Sequence, residues 1–323
     1  MRQHRLYVGT IGQGVFRSLD GGVSFRRACN GTFVECHVRA LVVHPHRDHT
    51  LFLGSELGLF RSDDGADSWV QVESPINGKQ VWSILIHPDN PDLMLAGTCP
   101  SQLFRSENGG KNWEEVSPDF RRECPRICWT RVTTLAADPA NSSVLWAGVE
   151  IDGLWRSEDA GRTWARLGEG LSSQDIHALY VPPRRDGKRR LLAATNNDLN
   201  ASDDEGKTWQ PLGIGASLPH SYCRALAGRV DRPEVIFLGN GDSPPGTTGV
   251  LGVSWDAGYS WEPAGMPGPA NSTIWNLAVH AAEPALIYAS SVSGLIFRSA
   301  DGGRTWSRQP REFGEIRALA WTP

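Results

Sequence analysis

One eight-residue pattern occurs seven times along this chain at nearly even spacing. It opens with a serine (Ser18, Ser62, Ser106, Ser157, Ser202, Ser254 and Ser299). Two residues later comes Asp20, Asp64, Asn108, Asp159, Asp204, Asp256 or Asp301, then a glycine-rich step. It closes on Phe25, Trp69, Trp113, Trp164, Trp209, Trp261 or Trp306. Successive serines lie 44, 44, 51, 45, 52 and 45 residues apart, so one structural unit recurs along the chain. The chemistry of the box is that of a hairpin turn. The Asp or Asn oxygen caps backbone N–H groups, glycine supplies a positive φ, and the terminal aromatic ring packs back under the hairpin.

Each repeat also carries short apolar runs, for example Val38–Pro45, Leu51–Ser55, Gly58–Ser62 and Trp69–Val72. Four short strands per repeat make one propeller blade, and seven boxes predict seven blades. The chain starts on a second-strand run, Leu6–Thr10, and ends on a first-strand run, Glu315–Trp321. Pairing these two completes the first blade and leaves no open sheet edge. The expectation is an all-β fold: one seven-bladed β-propeller domain over residues 1–323, closed by its C-terminal strand. A length of 323 residues would otherwise be read as two domains.

The formal net charge of -4 gives no electrostatic case for nucleic acid, and no apolar run is long enough to cross a membrane as a helix. Met1-Arg2-Gln3-His4-Arg5 runs directly into Leu6-Tyr7-Val8 without an apolar leader. Six cysteines in a chain of this size read as reduced thiols, which places the protein in the cytoplasm. The alternative is a loop staple, Cys29–Cys36 or Cys124–Cys128.

The box resembles the Asp-box, or BNR, repeat, and the resemblance runs through all seven copies. It implies similarity to the propellers of sialidases, xyloglucanases, sortilin-type receptors and photosystem II assembly factors, a set that mixes enzymes, receptors and scaffolds. The Phe/Tyr-Arg-Ile-Pro signature of sialidases is not found near the start, and Pro125-Arg126-Ile127 has the wrong place and order.

Strands in a blade alternate in direction. The boxes therefore lie on one face, with the strand 2–3 turns and the blade-to-blade connections on the other. The two longest repeats carry their extra residues on that second face, at Ser117–Cys128 and Gly239–Gly249. Elaborated loops gathered at one end of a rigid scaffold are where binding concentrates. The basic turn Arg184–Arg190 belongs to the box face and reads as a solvated hairpin tip.

Aligning the innermost strands stacks Arg39, Trp82, Thr133, His177, Arg224, Trp275 and Arg317 at one level. Two residues earlier stand His37, Gln80, Arg131, Asp175, Tyr222, Thr273 and Glu315, one strand period away and so on the same side. Both sets are expected at the mouth of the central channel, with Trp129 nearby. Arg39, Arg131, Arg224 and Arg317 fit bidentate binding of a carboxylate, or pairing with Asp175 and Glu315 across blades. Trp82, Trp129 and Trp275 offer flat apolar faces, and His37 and Gln80 complete the ligand-binding set. Asp175, His177, Tyr222 and Glu315 are the catalytic candidates, with a Tyr222/Glu315 pair in the manner of sialidases as one option. Structural hydrogen bonding is the competing reading for this set. His44, His87 and His280 recur at first-strand ends and read as turn residues of the far face.

The expected function is binding of a small anionic molecule or glycan in this Arg/Trp-lined mouth, as a hydrolase or lyase that needs no cofactor. The alternatives are a non-catalytic scaffold holding a protein partner and a metal enzyme with His37, His177 and a carboxylate as ligands.

Overall fold

The computed structural model describes residues 4–125, 127–185 and 187–323. Residues 1–3, Arg126 and Asp186 lie outside the described residues. They include part of the chain start, the centre of Pro125–Ile127 and one position of the basic turn. Seven four-stranded antiparallel sheets and one two-stranded hairpin account for the strands. The second sheet, for example, runs outward from Ala40–His44 through Arg47–Ser55 and Gly58–Ser62 to Val70–Gln71. The first sheet takes its innermost strand, Ile316–Thr322, from the end of the chain. That strand pairs with Arg5–Thr10 through Leu6↔Trp321 and Val8↔Leu319, which closes the ring. The protein is a seven-bladed β-propeller, and no helix among the described residues is long and apolar enough to cross a membrane.

Every box is the turn between the third and fourth strands of its blade. In the first, Ser18 donates its hydroxyl to Asp20 at 2.7 Å and accepts the Gly22 N–H at 2.8 Å. Asp20 accepts the Val23 and Ser24 N–H groups at 3.1 and 2.9 Å and the Ser24 hydroxyl at 2.6 Å. Slight burial pushes the Asp20 carboxyl up, but these bonds outweigh it and hold it at about 2. The fourth and fifth box positions both have positive φ, as at Gly302 (74°) and Gly303 (91°), or Glu205 (64°) and Gly206 (79°). Five of the tryptophans return their indole N–H to the carbonyl of the fifth position, as Trp209 does to Gly206 at 3.0 Å.

The boxes also join the blades. A large side chain from the second strand of one blade packs under the box of the next: Phe52 under Gly110, Trp146 under Gly206, Phe237 under Gly303. Tyr288 does the same across the closure and donates its hydroxyl to the Gly21 carbonyl at 3.0 Å. A Cβ on Gly206 would stand 2.5 Å from the Trp146 ring, so the missing side chain is what seats the wedge. Seven apolar clusters fill the spaces between neighbouring blades.

Candidate functional site

The innermost strands carry an irregularity that brings side chains into the channel. In six blades the ladder between first and second strands slips by one residue, leaving Trp82, Thr133, His177, Arg224, Trp275 or Arg317 as the extra residue. Arg39, whose N–H donates to the Gly54 carbonyl, holds the equivalent place in the second blade. A β-bulge breaks the pleat and re-aims the unpaired residue. All seven bulge residues line one cavity of about 270 Å³ on the axis. The bulges coincide with close blade packing. Glycine on the second strand lets a branched residue of the next blade approach, and a Cβ on Gly54 would stand 2.6 Å from Val81. Where the next blade offers the smaller Cys223, the position holds Ala194, and both lie in the same apolar cluster.

The ring is not seven-fold in its chemistry. Trp82 has Arg39 and Arg131 at 4.5 and 4.3 Å from its ring centre. Trp275 has Arg224 and Arg317 at 3.9 and 4.2 Å. Each indole thus gathers two guanidinium groups by cation–π attraction, making two clusters in the ring. Arg317 is in ion-pair contact with Glu315, and Arg131 with Glu150. Arg39 and Arg224 have no carboxylate partner among the described residues, and the Arg39 Nε is buried without a hydrogen-bond partner. Burial first, and then the charges of Arg317 and Arg131, lowers the pKa of Arg39; burial lowers that of Arg224. Both remain cations at neutral pH.

On the side of the channel formed by the fourth to sixth blades the groups are acidic and aromatic. His177 is buried, with Nδ1 2.7 Å from the Cys223 carbonyl. A carbonyl only accepts, so Nδ1 carries the proton and Nε2 faces Asp175 Oδ1 at 3.5 Å. Burial lowers the His177 pKa. The buried Asp175 Oδ1 has no hydrogen-bond partner. His177 is therefore partly a stitch between the fifth and sixth blades. Similar stitches run from Ser83 to the Val132 carbonyl at 2.8 Å and from Thr133 to that of Ile176 at 2.6 Å. Tyr222 packs against the His177 ring at 5.0 Å, and burial raises its pKa. Burial pushes the Glu150 carboxyl up to about 7 against the attraction of Arg131, and the charge of Asp175 adds to the rise.

The earlier level of candidates does share a side with the bulge residues where contacts are seen. Trp82 Nε1 donates to Gln80 at 3.4 Å, Asp175 faces His177, and Glu315 contacts Arg317. His37 is held in the second blade, its backbone N–H donating to Glu56 at 2.8 Å. Thr273 is buried and donates its hydroxyl to the Ser243 carbonyl at 2.7 Å, which ties it to the Gly239–Gly249 loop.

Three expectations change. Trp129 does not line the channel; it is 47% exposed on the hairpin of Glu123–Cys124 and Cys128–Trp129, which lifts it off the blade. The Tyr222/Glu315 pair gives way to other contacts, Glu315 meeting Arg317 while the acids acting on Tyr222 are Asp175 and Glu150. His37, His177 and a carboxylate are not gathered as a metal site, because among the described residues no group of three or more His, Cys, Asp or Glu side chains is placed to hold an ion. The far-face histidines are turn residues. His44, His87 and His280 each accept a backbone N–H on Nδ1, as His87 does from Asp89 and Asn90 at 3.2 and 3.1 Å. Glu150 was missed. It stands directly after a second strand, as Glu56 does in the second blade, and that shared turn position was the available signal.

A ring of four-stranded blades joined by Ser-x-Asp turns defines a class of propellers rather than one activity. A family model described as sortilin, neurotensin receptor 3, matches residues 13–143. A xyloglucanase of Hypocrea jecorina is 22% identical over 324 residues, covering 84% of this chain and 38% of its own. Sortilin of Rattus norvegicus is 24% identical over 216 residues, covering 59% of this chain and 24% of its own. The chain thus spans between about a quarter and two fifths of these relatives' length. Among solved structures, a Niastella koreensis GH74 enzyme superposes with a TM-score of 0.68 at 18% identity, covering 94% of this chain and 46% of that one. YCF48 in complex with a peptide superposes with a TM-score of 0.56 at 15% identity, covering 84% and 82%. These matches and the seven-bladed ring fit the Asp-box (BNR) propeller family that the boxes resemble.

Proposed function

We propose that the protein binds a small carboxylate-bearing molecule or acidic glycan at the channel mouth and hydrolyses it without a cofactor. The observation that carries the binding step is the pair of unpartnered cations, Arg39 and Arg224, at a cavity of about 270 Å³. An anion placed there relieves the mutual repulsion of the arginines and satisfies the buried Arg39 Nε. Trp82 and Trp275 hold the guanidinium groups. For the chemical step, Glu150 near 7 is a proton donor suited to a leaving-group oxygen, with Asp175 as the second carboxylate. Tyr222, His177 and Glu315 then orient these groups. The likeness to xyloglucanases supports a glycan as substrate. We place this activity in the cytoplasm, in keeping with a chain of 323 residues that needs no structural disulfide.

Calorimetry with glucuronate against glucose tests the reading. Glucuronate is expected to bind at least about tenfold more tightly than glucose, and Arg39→Gln or Arg224→Gln to remove that preference, as loss of a charge-assisted bond implies. Equal affinity for the two sugars, or full glucuronate affinity in both variants, overturns it.

The second reading is a scaffold that holds a protein segment on the same face. Its support is the likeness to YCF48 with a bound peptide, together with Phe33, Val34 and Trp129 exposed on the connections of that face. A partner that co-purifies stoichiometrically, with no sugar acid bound, would favour it.

A further inference from the structure

The longest connection between blades, from the third to the fourth, folds into a hairpin of its own in which two cysteines stand opposite each other. Cys124 and Cys128 are register partners across Glu123–Cys124 and Cys128–Trp129. Directly opposed antiparallel residues have Cα atoms about 4.5–5.5 Å apart, within the span of a disulfide. The base of the hairpin is fixed. Thr130 donates its N–H to the Arg122 carbonyl at 3.0 Å and shares a 2.8 Å hydroxyl contact with Ser101. The Arg121 N–H donates to Asp152 at 3.1 Å, and Phe120 packs on Trp155 at 5.2 Å. The two thiols are thus presented by an anchored frame.

Cys128 has φ of 64°, a left-handed conformation that glycine adopts without strain and other residues at a cost. The turn before it is closed by the Ile127 N–H on the Cys124 carbonyl at 3.3 Å, and glycine is the ordinary residue after such a turn. A cysteine stands there instead. Cys128 is the one exposed cysteine of the six. Burial raises the pKa of Cys36, to about 12, and those of Cys99 and Cys223, which suppresses their reaction as thiolates.

We propose that Cys124 and Cys128 form a reversible intramolecular disulfide that clasps this hairpin, with a low-molecular-weight disulfide as oxidant. The Cys128 thiolate attacks oxidised glutathione, forming a mixed disulfide and releasing one glutathione thiolate. The Cys124 thiolate then attacks the Cys128 sulfur and releases the second. Two cysteine thiols are oxidised by two electrons, one glutathione disulfide becomes two glutathiones, and the two thiol protons pass to them. The clasp lies on the channel-mouth face and ends one residue before Thr130, whose neighbour Arg131 stacks on Trp82, so closure stiffens one edge of the mouth.

The test uses the native full-length chain equilibrated in glutathione buffers from fully reduced to fully oxidised, quenched with N-ethylmaleimide, and read by intact mass and peptide mapping. The expected result is loss of two labels under oxidising buffer, with a Cys124–Cys128 cross-link and recovery of both labels in reduced glutathione. Cys124→Ser is expected to stop at a stable glutathione adduct on Cys128, because no second thiol resolves it. Overturning results are a stable glutathione adduct on Cys128 in the unaltered protein, both thiols still labelled in oxidising buffer, or a cross-link that instead joins Cys29 to Cys36.

Discussion

The two faces of the ring use their polar groups in opposite ways. On the box face the aspartates are satisfied within their own turns. Asp20, Asp64, Asp159, Asp204 and Asp301 all hold their carboxyls at about 2, with hydroxyl and N–H donors converging on each. At the channel mouth the bulge residues differ from blade to blade, two arginines have no carboxylate partner among the described residues, and one acid is pushed up to about 7. Repetition marks what holds the ring together, and departure from repetition marks where it has charge to offer a ligand.

The largest effect that would sharpen this contrast is expected from Trp146→Ala. Trp146 is fully buried and seats the next blade against Gly206. Its loss removes a large aromatic ring and leaves a cavity between two blades, a cost of about 3–5 kcal/mol. Thermal or urea unfolding measures this, while glucuronate affinity, taken well below the transition, stays near that of the unaltered protein. A large loss of affinity at unchanged stability would mean the two faces are coupled.

A smaller step on the same face is Asp159→Ala. It deletes an acceptor that serves the Arg162 and Thr163 N–H groups at 3.0 and 2.9 Å and the Thr163 hydroxyl at 2.7 Å. By analogy with other side-chain caps the cost is roughly 1–2 kcal/mol. Urea midpoints at constant slope check it, and loss of ligand binding with an unchanged midpoint would break the division between the faces.

The division itself was largely readable in the chain. Seven boxes and their strands give the blade number and the closure. Strand alignment also placed Arg39, Trp82, Thr133, His177, Arg224, Trp275 and Arg317 at one level, where they line one cavity. Why those positions turn inward was not readable, since the bulge depends on how two strands pair. Trp129 was misplaced because the hairpin around it breaks the strand pattern used for alignment. Glu150 was overlooked because its role comes from a turn that brings it to Arg131, and strand periodicity says nothing of turns.

The mouth offers the subtlest test, through Glu150. Its folded pKa, about 7, lies above the ordinary carboxyl value, so the fold favours its protonated form. The stability this contributes is fully present below the unfolded pKa and is lost as pH rises through about 7. The far-face histidines work the other way. Burial lowers the pKa values of His44, His87 and His280, so their contribution is present above the usual histidine value and is lost as pH falls. A melting profile of the unaltered protein mixes both. The difference between it and Glu150→Gln separates them, because the amide cannot ionise and the histidines are common to both proteins. The melting temperature of Glu150→Gln relative to the unaltered chain is expected to rise steadily from pH 5 and to level off above about 7. The value of about 7 already includes the opposing attraction of Arg131. A difference that stays flat across that range would mean Glu150 is ionised throughout, making the mouth as self-satisfied as the boxes and removing the proton donor from the proposed reaction.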